Sequence, residues 1–130
     1  MIGLDTNVLL RFILQDDRDQ GARAAALLAS LSPLEPGFIP SVTLAECFWV
    51  LDRSFRKPKA EIILLISGLL GSQELVLENQ HAVTEALRMY EESNADFSDC
   101  LIERTCHLAG CARTMTFDVG ASRDCGMVLV

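Results

Sequence analysis

Residues 1–14, MIGLDTNVLLRFIL, change period halfway along. An apolar run stops at Asp5, and from Thr6 onward Val8, Leu9, Phe12 and Ile13 recur at helix spacing. The stretch predicts a short strand over residues 1–4, a break at Asp5 and a helix over Thr6–Leu14. The break is a carboxylate set between Leu4 and Val8 in otherwise core-like sequence. Burying such a group alone is costly, so Asp5 caps a helix, meets a cation or stands at a rim.

The same alternation continues down the chain. Asp17 predicts the cap of a helix over residues 18–31, rich in alanine, and Phe38–Ile39 follow a loop with three prolines as a short buried strand. Ser41 predicts the cap of a helix that stops near Lys57–Pro58, because proline disfavours helix in the residue before it. A helix over residues 60–70 is expected to close at Gly71, followed by a strand over Leu75–Leu77 and a helix over residues 79–92. A further helix runs from near Asp96 to Gly110, a strand over residues 114–117 ends at Asp118, and residues 127–130 form the last strand. Strands alternating with helices imply one α/β domain over residues 1–130, with a parallel sheet covered on both faces. Functional groups in such sheets gather at the carboxyl ends of strands, where Asp5 and Asp118 both fall.

Composition narrows the functional classes. Half of the 130 residues are hydrophobic and 22% are charged, which is a globular balance. The apolar runs are too broken for a membrane helix, and no basic region precedes the first one, so a soluble cytoplasmic protein is expected. The net charge of −7 argues against a basic nucleic-acid coat. Residues 1–65 carry seven Lys/Arg against eight Asp/Glu, whereas residues 66–130 carry four against ten, so the acid is concentrated in the second half. Five cysteines without a CxxC pair, and two isolated histidines, give neither a disulfide framework nor a zinc site.

Four segments place an acid in apolar surroundings: GLDTN, TLAECFW, ADFSDCL and MTFDVG. Each has an ordinary explanation. Asp5, Asp96 and Asp118 are at positions where helix caps are common, and Glu46 can point outward from its helix. Glu103, one turn beyond Asp99, reads as solvated. Taken together, Asp5, Glu46, Asp99 and Asp118 at one rim would repel one another, and a divalent cation removes that cost. An all-oxygen donor set suits Mg²⁺ or Mn²⁺ rather than zinc. Such a site performs phosphoryl chemistry, with Thr6 and Asn7 either orienting a water or phosphate oxygen or serving only the first helical turn.

The segments DTNVLLRF, SVTLAE, ADFSDCLI and TFD, in this order, resemble the PIN domain and, more closely, the VapC toxins of bacterial type II toxin–antitoxin pairs. The resemblance runs from Met1 to about Arg123. It implies a three-layer sandwich with a central parallel sheet flanked by helices. It assigns Asp5 and Asp99 as the principal metal-binding aspartates, Glu46 as the central glutamate, Asp118 as the last acid and Asp96 as an extra one. It further implies a Mg²⁺- or Mn²⁺-dependent ribonuclease, a homodimer and inhibition by a VapB-like antitoxin. Val119 and Gly120 stand where many relatives carry basic residues, leaving Arg11, Arg53, Arg56, Lys57 and Lys59 as candidates for phosphate contact or a plain solvated face.

Two other enzyme or cofactor classes fit poorly. A phosphoacceptor receiver domain needs a lysine near a late strand, and the only lysines are Lys57 and Lys59; GLDTNV also lacks the G-x-G-x-x-G of a dinucleotide site. A catalytically silent PIN-like protein-interaction module stays open as the alternative.

Overall fold

The computed structural model describes all of residues 1–130. Strand β1 (Ile2–Gly3) leads into helix α1 (Thr6–Leu14) and helix α2 (Arg18–Ala29); strand β2 (Gly37–Ile39) is followed by α3 (Ser41–Arg53) and α4 (Lys59–Gly71). Strand β3 (Leu75–Leu77) precedes α5 (Gln80–Glu92) and α6 (Phe97–Leu108), and the chain closes with β4 (Met115–Thr116), α7 (Val119–Cys125) and β5 (Val128–Leu129). The central sheet has the order β1-β2-β3 and is parallel throughout, flanked by helices as the alternation predicts. Strands β4 and β5 pair in parallel with each other as a separate two-stranded sheet. No helix is long and apolar enough to cross a membrane.

The core follows from the apolar faces. Leu4 and Leu9 at the start, Ile39, and Leu44, Cys47, Phe48 and Leu51 of α3 join Ile62 and Ile66 of α4 and Val83, Ala86 and Leu87 of α5 in one buried cluster. Each fully buried apolar side chain of this size contributes roughly 1.5–3 kcal/mol, which is what holds strands of only two or three residues in register. Gly37 sits where a side chain has no room: a Cβ there would lie 2.9 Å from both Leu31 Cδ1 and Leu4 Cδ1. Gly37→Ala is therefore expected to cost about 1–3 kcal/mol through overpacking, read as a lower denaturant midpoint at unchanged slope.

Several local expectations are corrected. Ser41 is the first residue of α3 rather than its cap, and Pro40 in the cap position offers no side-chain acceptor. The Ser41 amide donates instead to Glu78 Oε1 at 2.8 Å, so an acid leaving β3 serves a helix 37 residues earlier in sequence. Helix α3 stops at Arg53, before Lys57–Pro58, and the turn places Arg56 in the left-handed region at φ 49°. Helix α7 occupies residues to which the sequence reading gives no element, and Asp118 caps it, the ordinary role open to it above. Glu103 is not solvated: its side chain is 12% exposed and accepts from Arg104 at 2.6 Å, while Arg104 also reaches Glu85. Cys47, Cys100 and Cys125 pack as small buried groups with no disulfide, and burial pushes the Cys47 thiol up to about 12.

Candidate active site

The acids are positioned by the ends of the elements that carry them. Asp5 follows β1 and caps α1, its Oδ1 accepting from the Val8 amide at 3.0 Å. Asp118 follows β4 and caps α7 in the same way, Oδ1 accepting from the Ala121 amide at 3.1 Å. Both are exposed at strand carboxyl ends, where an α/β sheet collects its chemistry. Each cap occupies one carboxylate oxygen and fixes the direction of the other.

Glu46 lies on the exposed face of α3, away from the buried Leu44, Cys47, Phe48 and Leu51. The Thr6 hydroxyl donates to Glu46 Oε2 at 2.7 Å, tying the first turn of α1 to α3. Thr6 thus positions an acid, whereas Asn7 lines a separate cavity of about 390 Å³ with Asp5, Arg11 and Arg23. On the other side of Thr6, a cavity of about 360 Å³ is lined by Thr6, Ala45, Glu46, Trp49, Val50 and Ser98, so the start of α6 faces Glu46 across it.

Asp96 and Asp99 open α6. Asp96 is its cap, with Oδ1 accepting from the Ser98 amide at 3.0 Å and Oδ2 from Arg53 Nη2 at 3.4 Å. Both of its oxygens are engaged. Asp99 differs from every other member of the set: its half-buried carboxylate has no hydrogen-bonding partner, and burial, then the charges of Asp96 and Asp118, push its pKa up against the pull of Arg53. That electrostatic coupling brings Asp96, Asp99, Asp118 and Arg53 into one neighbourhood.

The sequence groups Arg53 with the candidates for phosphate contact, but its 3.4 Å pair with Asp96 ties it to the acids at the start of α6. Its position seven residues after Glu46 puts both on one helix face, a spacing visible in the sequence. Among the other candidates, Arg11 is held by Asp16 and Gln20, and Lys59 by the Ser93 carbonyl and the Tyr90 ring. A cavity of about 560 Å³ between α1, α2 and α4 is mostly apolar and includes none of these acids.

No three His, Cys, Asp or Glu side chains stand close enough together to hold an ion by themselves. The donor chemistry nevertheless fits a hard cation that keeps most of its waters, since Mg²⁺ commonly takes only one or two carboxylates directly. Asp99, unpartnered and pressed by two like charges, is the group whose strain a cation would relieve.

A family pattern for the PIN domain matches residues 2–123. A VapC ribonuclease of Aquifex aeolicus is 25% identical over 99 residues, covering 75% of this chain and 73% of that protein.

Proposed function

Since this chain belongs to the PIN domain family, we propose that it is a metal-dependent ribonuclease, the toxin of a VapBC-type pair. The observation that carries the proposal is Asp99: a half-buried carboxylate with no hydrogen-bonding partner in the protein, its pKa raised by burial and by the charges of Asp96 and Asp118. A carboxylate raised by burial and by two neighbouring like charges is what a cation site would account for. The similarity to a VapC ribonuclease supports RNA as the substrate; a VapB-like antitoxin as inhibitor, a homodimer and a cytoplasmic setting belong to the same proposal.

In this reading Asp5, Glu46, Asp99 and Asp118 hold Mg²⁺ or Mn²⁺, directly or through water. When bound, the ion neutralises charge on the phosphate and lowers the pKa of the attacking water. The protein supplies orientation. Asp5 and Asp118 each keep one oxygen fixed by a backbone amide and one free, and Thr6 does the same for Glu46. A free carboxylate oxygen would take the proton of the water that attacks phosphorus, and the ribose oxygen released as the bridging P–O bond breaks would take a proton from solvent. Asp96, with both oxygens engaged, orients Arg53 and the start of α6 and is the weakest candidate for a ligand.

RNA cleavage is expected with Mn²⁺ or Mg²⁺ and is expected to stop in EDTA. Calorimetric titration of Mn²⁺ into the metal-free protein checks binding independently of turnover. Binding without cleavage would limit the proposal to a metal site. Neither binding at millimolar Mn²⁺ nor cleavage would favour the silent protein-interaction module.

A further inference from the structure

The chain has one tryptophan, and it is not in the core: Trp49 is 53% exposed. It stands three residues after Glu46 and four before Arg53, and it forms a wall of the cavity that Glu46, Thr6 and Ser98 also line. Immediately beyond, residues 53–59, RSFRKPK, hold four of the eleven basic residues and no acid, in a chain of net charge −7. The turn after α3 arranges Arg53, Arg56 and Lys57 around a cavity of about 420 Å³ shared only with Asp52. Arg56, carried on left-handed backbone, has no carboxylate partner, and Lys57 makes only a 3.7 Å pair with the half-exposed Glu61.

Building on the nuclease reading, we infer that Trp49 is a stacking platform for an unpaired base of the RNA, and that Arg56 and Lys57 hold a neighbouring phosphate. An aromatic face beside a basic groove is the combination that single-stranded nucleic acid requires, because every base offers a π-face and every link a negative charge. Glu46, Trp49 and Arg53 recur at helix spacing on one face of α3 over roughly 10 Å, and the turn carrying Arg56 and Lys57 follows directly. A protein interface centred on Trp49 would have to bury Glu46 beside it, and interface centres are depleted of acidic charge. The platform gives the enzyme a preference for bases that are already unstacked, so duplex segments are poor substrates.

A single tryptophan makes the test direct. Full-length protein in EDTA, where no cleavage occurs, is titrated with an unstructured, adenine-rich RNA oligonucleotide while tryptophan emission is followed. Saturable quenching by RNA, absent with inorganic polyphosphate, is expected. In anisotropy with labelled RNA, Trp49→Ala is expected to weaken binding about tenfold or more, Trp49→Phe to retain most of it, and the Arg56→Glu/Lys57→Glu pair to weaken it too. Equal quenching by polyphosphate, unchanged binding by Trp49→Ala, or a concentration-dependent emission shift without RNA would overturn the platform; the last would assign the face to a second copy of the chain. Mn²⁺-dependent cleavage without quenching removes the platform and leaves the nuclease standing, whereas loss of both binding and cleavage removes the nuclease reading itself.

Discussion

Asp99→Asn is expected to reduce RNA cleavage by at least about 10²-fold and, in the same protein stripped of metal, to raise the melting temperature. The two effects have one cause. Burial and the charges of Asp96 and Asp118 raise the pKa of Asp99 in the folded protein. The folded state therefore binds this proton more tightly than the unfolded chain does. Stability contributed by protonated Asp99 is present below the ordinary carboxylate range and is lost as pH rises through the raised folded value. At neutral pH the ionised group costs stability, and a neutral asparagine of the same shape removes that cost. The gain of the variant should shrink as pH falls to about 4 and below, where the parent carboxyl is protonated as well. Mn²⁺ should reverse the order, stabilising the parent by mass action and the variant little. Thermal melts in EDTA and in Mn²⁺ at both pH values check this, and a variant that melts lower than the parent in EDTA would show that Asp99 makes a structural contact instead.

The parts of the molecule that are local in sequence are legible there. Asp5 and Asp17 announce their helices because a cap bonds to an amide only three residues on, and the apolar spacing of residues 8–13 marks the face that packs. Asp5 and Asp118 could be placed at strand ends by the same reasoning. What escapes is what depends on partners far along the chain. Ser41 looked like a cap because nothing near it reveals that Glu78 would arrive at its amide. Arg53 looked like a free cation because Asp96 is 43 residues away, and Glu103 looked solvated because Glu85, which shares Arg104 with it, lies on another helix. Helix α7 is seven residues long and contains Gly120 and Ser122; burial of Ala121 and Cys125, not propensity, keeps it helical. The candidate site is legible in the sequence as a list of acids and not as an arrangement. Asp96 has both oxygens engaged and Asp99 has no hydrogen-bonding partner in the protein, a difference made by the fold.

Phe48→Ala is expected to be the most destabilising single change, at about 3–5 kcal/mol out of the 5–15 kcal/mol that holds a domain of this kind together. Phe48 is 2% exposed on the buried face of α3, and its ring meets Phe97 edge to face at 5.6 Å between centroids. Phe97 in turn meets Tyr90 at 5.9 Å, so three rings lock α3, α5 and α6 together. Truncation removes the apolar burial, the edge-to-face contact and the support of Phe97 at once. Phe97 directly follows Asp96 and precedes Asp99 by two residues, whereas Phe48 follows Glu46 by two. The same contact that holds the core therefore sets the spacing between the acid on α3 and the acids on α6. Urea unfolding should show a lower midpoint at unchanged slope, and Mn²⁺ affinity measured below that midpoint should fall although no carboxylate has been touched. Phe48→Leu, which keeps most of the volume, should recover the greater part of both. If Phe48→Ala unfolds early yet binds Mn²⁺ with parental affinity, the acids are held by their caps alone and the aromatic cluster contributes only to stability.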